Sequence, residues 1–349
     1  MNFVTLSDIA EKTGLTKSAV SLALRHDPRI PEITKKRVQE CAERLGYRQN
    51  AVVSHLMAEL RRGRVGMEKA TIALLNLHHD PAAFHAHPTI PSYVKGCRER
   101  ARTLGYSLDE IREPASLMGG KRLFSIMQAR GLRGCVLTGL MGSDRLPPGL
   151  KDLWERVPCV VTGVRTTDPQ LPFACADHHA VAQLALEKAL ESGYHRPALV
   201  LDRSIDKLVQ GRFSGGFLTG LRNLSERDRI PPFYHDERAP SPPPKFIAWW
   251  KKYRPDVILT LYHVVEDWLG EMGVGVPEES ALVQLEVRAN RRGWAGVDQH
   301  NDRTGAAAVD LLVQMIHAGE RGTGAIPRAM LTEPSWRPGT TLPPRESAP

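Results

Sequence analysis

From about residue 70 onward, short apolar runs alternate with stretches of helical period, and this alternation restricts the fold of the 349-residue chain more than any other feature. The runs are Thr71–Leu75, Gly134–Thr138, Cys159–Thr162, Ala198–Leu201, Val257–Leu261 and Ala281–Leu285. Between them lie helical segments such as Tyr93–Leu104, Leu123–Arg130, Ala180–Glu191, Phe213–Leu221 and Val264–Met272. A strand that is apolar along its whole length is buried on both faces, and the helices supply the cover. The pattern therefore predicts an α/β region with parallel sheets, and there are enough runs for two layers. The Pro240–Pro244 stretch reads as a loop, Trp249-Trp250 as cover for a helix face, and residues 336–349 as an irregular tail.

The first 46 residues follow another rule. Thr5-x-x-Asp8 resembles a capping box, and Leu6, Ile9 and Ala10 recur at helical spacing up to Gly14. Thr16 can cap a second helix, Lys17 to Leu24, whose Ala19, Val20, Ala23 and Leu24 form one apolar stripe. A third should run from about Pro31 to Leu45, with Gly46 as its stop. Two short helices joined by a tight turn at Gly14-Leu15 have the layout of a helix-turn-helix. With its stripe inward, the second helix presents Lys17, Ser18, Ser21, Leu22 and Arg25, side chains able to meet base edges or phosphates in a major groove. Thr5, Leu6 and Thr34 stand at helix starts, where backbone amides favour phosphate oxygens. A solvated bundle used for protein contacts is the plainer alternative.

Charge leans the same way. The chain carries 47 Lys and Arg against 39 Asp and Glu, a net of +8, and residues 1–64 hold 12 against 7, a net of +5. More than half of the excess thus sits in less than a fifth of the chain, as expected of a segment that meets a polyanion. Cys41, Cys97, Cys135, Cys159 and Cys175 lie far apart with no CxxC, which predicts reduced, buried thiols in a cytosolic protein rather than zinc or disulfides. No leader and no apolar run of membrane length is seen, so neither export nor a membrane is expected. His78, His79, His85 and His87 cluster without a Cys or carboxylate pair to complete a metal site and read as a polar loop. There is no Walker, Gly-x-Gly-x-x-Gly or Gly-x-Ser-x-Gly motif; no enzyme activity, metal or cofactor is expected.

The run Thr5-Leu6-x-Asp8-Ile9-Ala10-Glu11-x-x-Gly14-Leu15-Thr16-x-x-x-Val20-Ser21, followed by Thr34-x-x-x-Val38 and Leu45-Gly46-Tyr47-x-x-Asn50, resembles the headpiece of the LacI/GalR family of bacterial transcriptional regulators. The resemblance covers residues 3–58 without a gap. It implies that Lys17, Ser18 and Leu22 read bases and that Thr5, Leu6, Ser21, Thr34, Tyr47 and Asn50 help position the phosphate backbone. Where the family usually has an arginine, this chain has Leu22, which can pack on a thymine methyl but cannot grip guanine. Asn50–Ala58 resembles the hinge helix that orders on DNA, and Leu56 matches the leucine that wedges into the minor groove.

Residues 70–335 resemble the family's periplasmic-binding-protein-like core, two α/β lobes with a cleft between them. The matching phrases include Leu104-Gly105-Tyr106, Gly131-Leu132-Arg133-Gly134, Ala176-Asp177 and Pro255-Asp256-Val257-Ile258. The implied organisation is a headpiece over 1–49, a hinge and linker over 50–69 and a core over 70–335, with lobe crossings near 175–177, 297–303 and 325–332. Candidate effector contacts are Asn76, Arg212, Tyr262, His263 and Glu286, near the carboxyl ends of strands or matching the family's pocket. Tyr262-His263 replaces the family's usual Asn-Asp, Arg212 stands four rather than three residues before Gly216-Phe217, and Gly163 replaces an aspartate. The sugar pocket is thus only partly present. Trp294–Gln299 reads as either a crossover or a latch. The expectation is a cytoplasmic, homodimeric repressor that binds a double-stranded operator and answers to a sugar or related metabolite. The alternative is a cytosolic sensor that does not read DNA.

Overall fold

The computed structural model describes residues 6–24, 30–45, 47, 70–235, 241–287, 293–321 and 326–345. The chain divides into two compact units, Met1–Glu68 and Lys69–Pro349.

In the first unit, α1 (Leu6–Thr13), α2 (Lys17–Ala23) and α3 (Glu32–Leu45) bury Ile9, Ala10, Val20, Ala23, Val38, Cys41 and Ala42 against one another. Leu6, Leu15, Leu24, Leu45 and Tyr47 pack around this small core. Gly14 ends α1 at a φ of 65°, a conformation that favours a residue without a Cβ. The chain turns there, with the Leu15 amide donating to the Ala10 carbonyl at 3.0 Å.

The described residues of the second unit form two six-stranded sheets. The first is built from β1 (Thr71–Asn76), β2 (Ser107–Ile111), β3 (Leu132–Thr138), β4 (Cys159–Thr162), β5 (Phe173–Ala176) and β11 (Ala329–Thr332), in the order β11-β5-β4-β3-β1-β2 and parallel throughout. The second contains β6 (Pro197–Asp202), β7 (Phe233–His235), β8 (Val257–Thr260), β9 (Ala281–Gln284), β10 (Gly296–Asp298) and β12 (Ser335–Arg337), in the order β12-β10-β9-β8-β6-β7. It is parallel except for β12, which runs against β10. The central strands β3, β4, β6, β8 and β9 are almost wholly buried, as their unbroken apolar runs require.

The covering helices are α4 (Ile90–Thr103), α5 (Gly120–Ala129), α6 (His178–Glu191), α7 (Arg212–Leu221), α8 (Pro244–Tyr253), α9 (Val264–Glu271) and α10 (Asn301–Ala318), with shorter turns between. Helices α4 and α10 approach until their backbones touch: a methyl on Gly96 would meet the Asp302 carbonyl, and one on Gly305 the Tyr93 carbonyl. Trp250 is buried, and Trp249 packs on Phe233, Phe246 and Tyr253, so the paired tryptophans do cover a helix face.

The chain leaves the first sheet at Asp177, returns from the second at His300, and passes over again at Glu333-Pro334, just beyond the segment expected for the third crossing. Trp294–Gln299 therefore includes the last parallel strand of the second sheet and runs up to a crossover. Residues 338–345 form no regular element, and they are tied to the second sheet. Thr341 donates its hydroxyl to the Leu282 carbonyl at 2.7 Å and accepts the Ala295 amide, and Leu342 is buried. All five cysteines are free and buried, with Cys135 and Cys159 Sγ atoms 3.2 Å apart on neighbouring strands. Among the described residues no helix is long and apolar enough to cross a membrane.

Candidate nucleic-acid interface and ligand cleft

Thr16 shapes the start of α2: its Oγ1 accepts the Ala19 amide at 3.2 Å, which fixes the entry of the helix. Thr16, Lys17 and Ser18 are exposed, while Ser21 and Leu22 are half-buried on the same helix. Val20 and Ala23 face the core, so the inward stripe is narrower than the sequence suggested: Ala19 and Leu24 are only partly covered. Thr34 is half-buried in the first turn of α3, beside Ile33, an isoleucine left 82% exposed that sequence reasoning did not single out. Leu6 and Tyr47 pack on the core, so any contact they make with a ligand is made from a fixed base. Lys35 lies with its stem buried and its ammonium 2.6 Å from Glu32. Thr5, Arg25, Asn50 and Leu56, together with the hinge expected over 50–69, lie outside the described residues.

In the second unit, the carboxyl ends of both sheets face one cleft. Leu140 and Met141 follow β3, Gly163 and Val164 follow β4, Leu261 and Tyr262 follow β8, Glu286 follows β9 and Gln299 follows β10. With Thr89, Tyr93, His178 and Phe213 they surround a cavity of about 160 Å³. A second cavity of about 250 Å³ shares Gly163, Val164, His178 and Val209 with the first and adds Arg165, Phe173, Gln210, Arg212 and Leu331.

Of the five expected contacts, Tyr262 and Glu286 line the first cavity and Arg212 the second. Asn76 does not belong to the cleft. It is fully buried, with Nδ2 donating to the Asp80 and Arg112 carbonyls at 2.9 Å and Oδ1 accepting the His78 amide, so it ties the loops after β1 and β2 together. His263 is also withdrawn: its Nε2 accepts from Gln284 Nε2 at 3.2 Å and its ring tilts against Trp294. Its neighbour Tyr262 instead lines the first cavity, beside Leu261. Sequence reasoning missed Arg165, His178, Phe213 and Gln299. The signal available was position, just past a strand or in the first turn of a helix.

Arg212 is held by Asp177 at 2.6 Å, and Asp177 in turn caps α6 by accepting the His179 and Ala180 amides. Burial tends to raise the Asp177 carboxyl, but the Arg212 hydrogen bond and the helix amides outweigh it and hold the carboxyl below its usual range. Burial, aided by the Arg212 charge, lowers His178 to about 4, so its ring is neutral where it tilts against Phe213 at 4.8 Å. Burial and then the charge of Glu286 push the Tyr93 phenol well above its ordinary value.

Hydrogen bonds organise the histidine loop. His78 Nδ1 accepts the Asp80 amide, and His87 Nδ1 accepts the Thr89 and Ile90 amides. Among the described residues no group of three His, Cys, Asp or Glu side chains is placed to hold a metal.

Residues 5–50 match the family described as bacterial regulatory proteins, lacI family. The HTH-type transcriptional regulator PtxS of Pseudomonas plecoglossicida is 24% identical over 204 residues, 58% of this chain and 55% of that protein. The match thus spans about half the length of that relative. The HTH-type transcriptional regulator MalR of Streptococcus pneumoniae serotype 4 is 21% identical over 322 residues, 90% of this chain and 93% of the relative. Among solved structures, a CelR–cellobiose complex has a TM-score of 0.59 at 18% identity, covering 97% of this chain and 99% of that one. The lac repressor dimer bound to operator and the anti-inducer ONPF has a TM-score of 0.55 at 16% identity, covering 98% and 100%. The structural likenesses establish a shared fold, a helix-turn-helix followed by the two-lobed α/β core. The N-terminal unit thus matches the lacI family of bacterial regulatory proteins over residues 5–50, and similarity to transcriptional regulators extends beyond that segment.

Proposed function

We propose that the protein is a sequence-specific transcriptional regulator, a cytoplasmic repressor that binds a pseudo-palindromic operator as a dimer and whose DNA affinity is tuned by a small molecule in the cleft. The observation that carries this reading is α2, short and capped, with Lys17 and Ser18 exposed on its first turn in a unit whose residues 5–50 match a family of bacterial regulators. A major groove admits one helix, and the first turn of a recognition helix is where base edges are met. Lys17 and Ser18 supply donors, Leu22 an apolar contact for a thymine methyl, and Thr16, Ser21 and Thr34 phosphate contacts beside helix starts. Thr5, Leu6, Arg25, Tyr47 and Asn50 extend that phosphate footprint, and Leu56 is the minor-groove wedge. A two-fold dimer imposes two-fold symmetry on its operator. PtxS and MalR carry names of transcriptional regulators, and the lac repressor structure is a dimer on operator DNA. We assign no catalysis to the cleft: the Thr162 hydroxyl is spent on Thr138 at 2.7 Å, and His178 tilts against an aromatic ring.

Selection from random duplex DNA with the purified full chain tests this. An enriched pseudo-palindrome is expected, with Lys17→Ala lowering specific affinity by about 1–3 kcal/mol or relaxing one base position. Leu56→Ala should weaken operator binding far more than non-specific binding. Binding that is independent of sequence, with or without small molecules, would reject the reading.

A further inference from the structure

The lining of the cleft is specific about what it can hold. The body of the first cavity is apolar, formed by Leu140, Met141, Leu208, Val209, Phe213 and Leu261. Several of its polar groups are committed to the protein. Thr162 donates to Thr138, Gln299 Nε2 donates to the Leu285 carbonyl at 2.8 Å, Glu286 Oε1 accepts from Asn301 at 2.9 Å, and His87 Nδ1 takes two backbone amides. A sugar carries a hydroxyl on nearly every carbon, and each must find a partner when it leaves water. This cavity rewards burial of carbon instead.

The adjoining cavity has the opposite character. Arg165 is exposed, with its guanidinium over the Phe173 ring, and Arg212 has one carboxylate partner while its Nε is shut from water with no acceptor. Two guanidinium groups face a single paired carboxylate, Asp177, so this end is cationic. At the far end Glu286 repels an acid group and can accept from a hydroxyl, so the cleft is polarised along its length.

We propose that the effector of this cleft is a small organic acid with an aromatic or alicyclic body, its ring in the apolar cavity and its carboxylate at Arg165 and Arg212. This rests on the reading of the cleft as an effector site and departs from the polyhydroxyl sugar expected of the fold. The neutral His178 at the shared waist suits a ring passing through it, and bidentate guanidinium–carboxylate pairing suits the cationic end.

Titration calorimetry of the full chain with 4-hydroxycinnamate, 4-hydroxycinnamyl alcohol and cellobiose, at equal ionic strength, tests it, within wider panels of ring acids and neutral sugars. The acid should bind at least about tenfold more tightly than the alcohol, and cellobiose should give no heat. Arg212→Met should remove that preference, and Arg165→Met should reduce it without risk to the fold, since Arg165 is exposed. Sugars binding while ring acids do not would overturn the ligand class and leave the effector reading standing. Acid binding unchanged in both variants would overturn the placement. If no member of either panel binds, the effector reading falls with the proposal.

Discussion

At the scale of single residues, burial decides which groups can answer to pH. His178 is buried, and its folded value near 4 lies below the 6.5 of an unperturbed ring. As pH falls from 6.5 towards 4 the unfolded chain takes up a proton that the native ring refuses. Stability contributed by the neutral ring is therefore complete above 6.5 and lost as pH drops through 4, by at most about 3 kcal/mol. Urea titrations between pH 7 and 4.5 should show this slope, and His178→Leu should flatten it; an unchanged slope would assign the acid sensitivity elsewhere. Residue identity also explains where sequence reading failed. Asn76 and His263 are polar residues next to strand ends, as ligand contacts often are, yet each is consumed by local hydrogen bonds that only coordinates reveal. Tyr262 and Glu286 have the same sequence signature and do reach the cleft.

At the scale of elements, the long buried strands and amphipathic helices were legible because one period dominates each. The edge strands were not. Ser107–Ile111 carries Asp109 and Glu110, Phe233–His235 is three residues long, and Ala329–Thr332 leaves alternate residues exposed. Each owes its form to a neighbour rather than to its own pattern. Contact between helices is similarly invisible to periodicity. Gly305 permits α10 to lie on the Tyr93 carbonyl of α4, whereas Gly270 in α9 has open space around its absent Cβ. Gly305→Ala should therefore cost about 1–3 kcal/mol through overpacking. Gly270→Ala should instead stabilise by up to about 1 kcal/mol, because a glycine in the last turn of a helix is replaced at no steric cost. Opposite shifts of the thermal midpoint are expected, and shifts of the same sign would contradict the close crossing.

At the scale of the whole molecule, the two units differ greatly in what holds them. Among the described residues, Lys69–Pro349 contains four buried apolar clusters on the faces of two sheets, whereas Met1–Glu68 has one small cluster centred on Ile9, Val20 and Val38. A core that small is marginal on its own, since little of a short chain's surface can be removed from water. The fragment beginning at Lys69 should keep its unfolding transition and its ligand binding while losing DNA entirely. The fragment ending at Glu68 should melt at lower temperature and still bind DNA in a salt-dependent way, because its charge excess resides there. If the intact chain is a dimer, its second headpiece binds as an intramolecular event, and the isolated fragment should be about 10²–10⁴-fold weaker on a two-half-site operator. On a single half-site, intact chain and fragment should bind alike. Equal affinity on the full operator would mean that one headpiece does all the reading, and the dimeric, pseudo-palindromic mode would have to be given up.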